Sequence, residues 1–162
     1  MESTKQLNHI LNGLYICMSL LFMFDILTNF EIRSQGLKSF IYYGVLFATP
    51  LVLIWNFISL KNNKVLASLS PLLILTLVFT TGLTKILANV SAWQTQVILY
   101  KNKNSNVTTI EHQLQGSANF KFNERTVKVT YLTGLFMIVY RMPDDISSKN
   151  EWVKINQYVS HN

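Results

Sequence analysis

A single aspartate, Asp25, interrupts the apolar run LLFMFDILTNF of residues 20–30. A charge at the centre of a transmembrane helix costs about 2.5 to 3.5 kcal/mol on insertion scales, so such a carboxylate usually has a partner or a function. The chemistry that it would support is an ion pair between helices, or the transfer of a proton or ion. Lys85 is the natural partner in this sequence. We therefore predict an Asp25–Lys85 ion pair, with a transport pathway as the alternative.

Further polar side chains fall at the same end of the predicted helices as Asp25 and Lys85. If the first and third helices run parallel, both charges lie in the same leaflet of a bilayer. A single layer of polar residues favours a structural ion pair, because pathways usually show ionisable residues at several depths. The predicted cluster comprises Asp25, Lys85, Asn29, Tyr42, Tyr43, Thr80, Thr81 and Thr84.

Three apolar runs would position these side chains. The runs cover residues 10–30, 39–60 and 65–89. A helix rises 1.5 Å per residue, so roughly 20 residues cross the ~30 Å hydrocarbon core of a membrane. The connections EIRSQGLK and KNNK are short, which predicts antiparallel neighbours, and Gly44 with Ala48 would allow a close helix approach. The sequence thus predicts a three-span α-helical transmembrane bundle over residues 1–90.

The pattern changes from Trp93 onward, where four stretches rich in β-branched and aromatic residues alternate with a period of two. These stretches are QTQVILYK, VTTIEHQLQ, RTVKVTYL and LFMIVYRM. Turn-prone pieces, NKNSN, GSANF and TG, separate them. We predict a small, soluble, antiparallel β domain over residues 91–162. Its ending, SSKNEWVKINQYV, is predicted as a short helix capped by Ser147 or Ser148, or as an extended segment.

The stretch LFMIVYRM is apolar on both faces. An inner strand, a strand against the bilayer surface and a partner-binding patch all fit this pattern. The residues of the predicted interaction surface are Leu135, Phe136, Met137 and Trp152.

Catalytic signatures are absent from the sequence: it contains no G-x-S-x-G, H-E-x-x-H, Walker or glycine-rich dinucleotide motif. Cys17 is the only cysteine, which excludes an internal disulfide and a cysteine-based metal site. Glu111 and His112 are adjacent in a predicted strand, so they should point to opposite faces. An enzyme would need polar groups such as His112, Arg125 and Arg141 to converge, and their spacing does not indicate it. We predict no catalytic, cofactor-binding or metal-binding residue.

The net charge of +6 is mixed in sign, without a dense Lys/Arg block. This favours loops near anionic lipid headgroups over nucleic-acid binding. Lys5, Lys61 and Lys64 lie on the side of the amino terminus, which favours an amino terminus inside the cell and a carboxyl-terminal domain outside the cytoplasm. The first run is longer than the ~7 to 15 residues of a signal-peptide core, so we expect it to be retained.

The three spans, with QVILYKNKN, ERTVKVTYLTGLFMIVYRM and EWVKIN, resemble an uncharacterised group of small inner-membrane proteins from low-GC Gram-negative bacteria. The likeness covers most of the chain, and its motifs are loose strand and turn patterns. It implies an inner-membrane location and this architecture, and it supplies no activity.

The sequence favours a non-enzymatic integral membrane protein whose β domain contacts another protein, as an accessory subunit, an envelope sensor or an immunity protein. The alternative is a subunit of an oligomeric transporter or channel that uses the Asp25/Lys85 layer. The predicted partners are the lipid bilayer and a protein, with self-association left open.

Overall fold

The structure is a computed structural model that describes residues 2–59, 64–116, 122–142 and 151–159. Two compact units make up the chain. The helical unit consists of Met1–Leu27 and Ser39–Val90, and the β unit consists of Thr28–Lys38 and Ser91–Asn162. The connection between the first two helices therefore belongs to the β unit, whereas the sequence placed it in the helical region.

Four helices lie among the described residues of the first ninety positions. They are α1 (Glu2–Leu27), α2 (Gln35–Ser59), α3 (Lys64–Thr81) and α4 (Leu83–Ala88). Within the described residues, His9–Leu27 of α1 and Gln35–Ile58 of α2 are long and apolar enough to cross a membrane, whereas the apolar segment of α3, Ser68–Thr81, is shorter. Three spans were predicted, and length and composition support two.

Two of the predicted spans have different ends in the structure. The first was expected to reach Phe30, but α1 ends at Leu27 and the Phe30 amide donates to the Thr28 hydroxyl at 3.0 Å, which turns the chain. The third was expected to be continuous over 65–89, but Gly82 has a φ of 86° and separates α3 from α4. Glycine adopts this left-handed conformation without the steric cost that a side chain brings.

Helices α1 and α2 pack closely, as Gly44 predicted. A Cβ atom on Gly44 would lie 2.5 Å from the terminal methyl of Met18, so the glycine leaves room for that side chain. One helical turn further along, the hydroxyls of Tyr15 and Thr49 are hydrogen-bonded at 2.7 Å and buried. The contacts run in opposite directions along the two helices, which makes the pair antiparallel.

The described residues of the β unit form a six-stranded antiparallel sheet. Its strands are β1 (Phe30–Ile32), β2 (Gln94–Asn102), β3 (Thr108–Gly116), β4 (Phe122–Tyr131), β5 (Phe136–Arg141) and β6 (Trp152–Tyr158). Their spatial order is β1-β5-β4-β3-β2-β6. The four predicted strands form the centre of the sheet, and the structure adds one strand at each edge.

The carboxyl-terminal segment takes the extended form of the two that were predicted. Residues 152–158 form β6, which pairs with β2, so the predicted helix is wrong there. The stretch WVKINQY is rich in β-branched and aromatic residues, which favours a strand. The predicted caps, Ser147 and Ser148, lie outside the described residues.

The two faces of the sheet differ. Val127, Val129, Met137 and Val139 are buried together on one face, and Trp93 and Tyr131 pack against them. We call this the core face. Cross-strand pairing places Glu111 opposite Val127, and therefore on the core face, whereas Lys128 and His112 lie on the opposite face.

Candidate functional site

Asp25 lies near the end of α1 and is half-buried. The hydroxyl of Tyr42 on α2 donates to its Oδ2 atom at 2.5 Å. Tyr42 is itself buried, and its ring packs edge-to-face on Phe22 with the centroids 4.9 Å apart. The structure thus brings together two members of the predicted polar cluster, Asp25 and Tyr42.

The other predicted members of the cluster occupy different environments. Lys85 and Thr84 are exposed on α4, and Thr81 is half-buried at the end of α3. Asn29 belongs to the β unit, where its carbonyl accepts the Val139 amide at 2.8 Å. The hydrogen bond from Tyr42 gives Asp25 a partner on α2, and the Asp25–Lys85 pair stays a prediction.

A buried carboxylate lies at the centre of the core face. Glu111 is fully buried on β3 and accepts hydrogen bonds from Thr95 at 2.6 Å, Thr109 at 2.5 Å, Tyr131 at 2.5 Å and the Gln113 amide at 3.0 Å. A carboxylate removed from water needs such partners to offset its desolvation. Burial, with the hydrogen bond to Glu111 adding to it, raises the pKa of Tyr131 to about 12. Tyr131 is therefore a donor that stays protonated.

An ion pair continues this polar cluster toward the β1 edge. Arg125 on β4 donates to both carboxylate oxygens of Glu31, at 2.7 and 2.5 Å. It also donates to the Gln113 side-chain oxygen, at 3.0 and 2.8 Å, and its guanidinium carbon lies 4.0 Å from the centroid of the Trp93 ring. Gln113 therefore links the Arg125–Glu31 pair to Glu111.

The segment that supplies Glu31 is attached to the rest of the β unit at further points. The Arg33 amide donates to the Leu135 carbonyl at 2.9 Å, and the Arg33 guanidinium lies 4.7 Å from the Tyr131 ring centroid. The Gln35 side chain accepts the Ala92 amide at 2.6 Å. The connection between α1 and α2 is thus held by backbone, ionic and aromatic contacts.

The chemistry of this cluster is that of a closed network. Both carboxylates accept hydrogen bonds from neighbouring side chains, and Tyr131 and Arg125 donate to them. Among the residues that the structure describes, no group of three or more His, Cys, Asp or Glu side chains is placed to hold a metal ion. The arrangement fixes the position of segments that are far apart in sequence.

The three polar residues that an enzyme was expected to bring together do not meet. Arg125 lies in the core-face network, and Arg141 is exposed at the end of β5. His112 is half-exposed on the opposite face, where its Nε2 atom lies 3.8 Å from Glu124. Sequence reasoning did not identify the Glu111 network. The sequence signal for this network is the run of polar residues at every second position of β3. These residues share a face with the hydrogen-bond donors of β2 and β4.

The predicted interaction surface is not a single patch. Leu135 is exposed, Phe136 stacks on Phe30 with the ring centroids 5.2 Å apart, and Met137 is buried in the core. Met137 is buried because it points to the core face, opposite Tyr131 of β4. Trp152 begins β6, at the other edge of the sheet from β1.

Strand β6 is exposed at six of its seven positions. We call Trp152–Tyr158, with the side that faces away from β2, the β6 edge. Val153, Ile155 and Tyr158 are 44%, 38% and 82% exposed. Asn156 has a φ of 48° and lies in a bulge, since the register with β2 shifts there. Exposed apolar side chains on an edge strand are typical of a site that pairs with another chain.

Comparison of the chain with protein-family models, with curated proteins and with solved structures finds no match in any of the three.

Proposed function

We propose that the chain is a multi-pass integral protein of the plasma (inner) membrane that presents its β unit at the membrane surface for contact with another protein. An accessory, sensor or immunity-type role would fit such a protein. The observation that carries the interaction is the β6 edge, which exposes apolar side chains on an edge strand.

The membrane location is supported by the exposure of the helices. In the apolar windows of α1 and α2, only 17% and 28% of the residues are buried. The core helix of a soluble protein would be mostly buried. Large side chains such as Phe47, Leu51 and Phe79 are instead exposed, which suits a lipid environment.

A third crossing follows from the composition of the β unit. Residues Thr28–Lys38 and Ser91–Asn162 form one compact unit, so they share one side of the membrane. If α1 and α2 both cross, the chain leaves that side along α2 and has to return before Ser91. Helices α3 and α4 supply 18 and 6 residues, which rise about 36 Å in total against a core of ~30 Å. We therefore propose that residues 64–88 form the third crossing.

The transporter alternative depends on Asp25 and Lys85 forming a polar passage. The Tyr42 hydroxyl bond gives the Asp25 carboxylate a structural role in packing α1 against α2, which supports the interaction protein instead. As part of the same proposal, the chain resembles small inner-membrane proteins, and its β unit lies outside the cytoplasm.

Site-specific crosslinking in native membranes tests the proposal. A photo-activatable amino acid at Ile155 should crosslink a partner protein reproducibly, because this side chain is exposed on the β6 edge. The matched control has the same amino acid at Arg141, which is exposed on β5, at some distance across the sheet. A protein that is recovered as a stable monomer, without crosslinks from either position, would contradict the interaction role.

Orientation is tested by labelling an introduced cysteine. Asn104 is exposed in the β2–β3 connection, so Asn104→Cys in a Cys17→Ser background gives one accessible thiol. We expect a membrane-impermeant maleimide to label it in intact cells. Labelling only after the membrane is opened would place the β unit in the cytoplasm.

A further inference from the structure

We infer that the connection between β4 and β5 lies in the lipid headgroup layer of the membrane, where its exposed leucines contact the bilayer. We call this connection, residues 132–135, the β4–β5 turn. The inference rests on the membrane-spanning helices of the proposed function, and it assigns a partner to a surface other than the β6 edge.

The β4–β5 turn presents apolar side chains to its surroundings. Leu132 and Leu135 are 52% and 47% exposed. Val107, which is 50% exposed, is close to the turn in the sheet, because its carbonyl accepts the Tyr131 amide at 2.9 Å. The sequence from Tyr131 to Tyr140 contains no charged residue. Exposed apolar side chains that lie together mark a surface that contacts lipid or another protein.

The turn is attached close to the start of a crossing helix. The Leu135 carbonyl accepts the Arg33 amide at 2.9 Å, and Gln35, two residues further along the chain, begins α2. Two residues span at most about 7 Å, so the Leu135 carbonyl lies within about 10 Å of the first residue of α2. All three residues belong to the β unit.

The first residue of α2 lies at the boundary of the hydrocarbon core. The apolar window Gln35–Ile58 has 24 residues. It rises about 36 Å, which exceeds the ~30 Å core, so a helix that crosses with this window begins in the headgroup layer. That layer adds about 5 to 7 Å on each side of the core. The reach from Gln35 to the turn is therefore comparable with the thickness of the layer.

The backbone of the turn is suited to a layer with little water. The Leu132 and Thr133 amides both donate to the Phe136 carbonyl, at 3.1 and 3.2 Å, and the Leu135 amide donates to the Thr133 hydroxyl at 3.1 Å. Backbone groups without a partner are costly where water is scarce. The bonds within the turn therefore lower the cost of moving its backbone out of water.

The charge beside the turn also fits a bilayer surface. Arg33 is exposed, whereas Glu31, the acidic residue of the same connection, is paired with Arg125. Exposed basic residues next to a crossing helix are attracted by anionic headgroups. Because the turn is tethered this close to the start of α2, lipid is the partner that its attachment favours over a protein.

Depth-dependent quenching in nanodiscs that each hold one copy of the full-length protein provides the test. A fluorescent bimane label is attached to Leu135→Cys in a Cys17→Ser background. The lipids carry a nitroxide quencher on the headgroup, near the glycerol end of the acyl chain, or at the end of the chain. We expect the nitroxide near the glycerol end to quench the label at least as strongly as the headgroup nitroxide does.

Two reference positions carry the same label. Phe47 is exposed near the middle of the α2 window, so the label at Phe47→Cys should be quenched by the nitroxide at the end of the chain. Gln157 is exposed on β6, at the opposite edge of the sheet from β1, so the label at Gln157→Cys should be quenched by none of the three lipids.

A substitution tests whether the leucines themselves make the contact. Leu132→Glu should remove most of the quenching of the label at Leu135→Cys, because a carboxylate is costly to remove from water. Val153→Glu, a matched substitution at an exposed apolar position of β6, should leave the quenching unchanged. Hydrogen exchange of a peptide that contains Arg33 checks that the turn stays attached, and the label at Leu135→Cys alone tests the inference if it does not.

The inference is overturned if the label at Leu135→Cys is quenched no more than the label at Gln157→Cys, or by the headgroup nitroxide alone, since the turn would then lie above the lipid. It is also overturned if Leu132→Glu and Val153→Glu have the same effect while the turn stays attached. Absence of quenching in nanodiscs, together with a protein captured in native membranes by a photo-activatable amino acid at Leu135, would assign the turn to a protein partner instead.

The label at Phe47→Cys separates this inference from the proposed function. If the label at Phe47→Cys is quenched and the label at Leu135→Cys is not, the inference fails and the membrane location stands. If neither label is quenched by any of the lipids, both fail.

Discussion

The ion pair between Glu31 and Arg125 should determine how firmly strand β1 is held in the sheet. The perturbation is a double-mutant cycle of Glu31→Gln, Arg125→Gln and the combined variant. In the structure the pair is bidentate, with the Arg125 and Glu31 side chains only 21% and 15% exposed. Strand β1 has three residues, and its other contacts are its pairing with β5 and the Arg33 and Gln35 contacts that follow it.

The expected magnitude follows from this burial. Removing one partner of a fully buried pair costs about 3 to 5 kcal/mol, and a hydrogen bond to a charged group contributes about 1.5 to 3 kcal/mol. Because Glu31 and Arg125 retain some contact with solvent, we expect each single variant to lower the opening free energy of β1 by about 2 kcal/mol. At 1.36 kcal/mol per tenfold, this corresponds to amide exchange that is about 30-fold faster.

Hydrogen exchange with mass spectrometry measures this effect directly. The Arg33 amide donates to the Leu135 carbonyl at 2.9 Å, so a peptide that contains Arg33 reports the opening of β1. A peptide from β3 serves as the internal control. The combined variant should exchange little faster than either single variant, because the interaction is already lost. Effects of the two substitutions that simply multiply would refute a direct coupling between Glu31 and Arg125.

Three further predictions concern other parts of the molecule. Folding raises the pKa of the Tyr131 phenol, so the neutral phenol is favoured in the folded protein. Its contribution to stability is therefore complete below pH 10 and decreases as the pH rises toward about 12. Denaturant unfolding across that range should show this decrease, and Tyr131→Phe should abolish it. Gly44→Ile should lower the melting temperature in detergent, because its Cβ would meet the Met18 methyl at 2.5 Å, and Met18→Ala should restore part of the loss. No loss would mean that the helices separate easily. If Asp25 and Lys85 are paired, Asp25→Leu should weaken helix packing, and the double variant Asp25→Leu, Lys85→Leu should recover much of that packing in the same melting assay. A double variant that is no better than the single ones would show that the pair does not form.

The helices and the central strands are readable from the sequence because their signals are local. Long apolar runs predict α1 and α2, and alternation in RTVKVTYL predicts that Val127 and Val129 share a face, as they do in the core. Strand β1 was not predicted because its three residues follow an apolar helix directly. Its pairing partner β5 lies more than a hundred residues later, and no local pattern indicates that contact.

The buried network was missed for a different physical reason. Glu111, Gln113 and Gln115 alternate in β3, and a polar stripe usually marks the solvent face of a strand. Here the same face receives donors from other strands, including Tyr131 and Arg125, so the stripe is buried. The identity of that face depends on the cross-strand register, which a single strand does not reveal.

The order of synthesis gives the β1–β5 pairing a consequence for the newly made protein. Residues 28–38 leave the ribosome early, but their partner strand, Phe136–Arg141, is made near the end of the chain. Strand β6, which pairs with β2, comes later still. Strand β1 therefore waits for β5, and β2 waits for β6, while the residues between them are made, and contacts between segments far apart in sequence form slowly. A chain that stops before residue 136 would therefore keep its apolar helices but leave the connection between α1 and α2 without its strand partner.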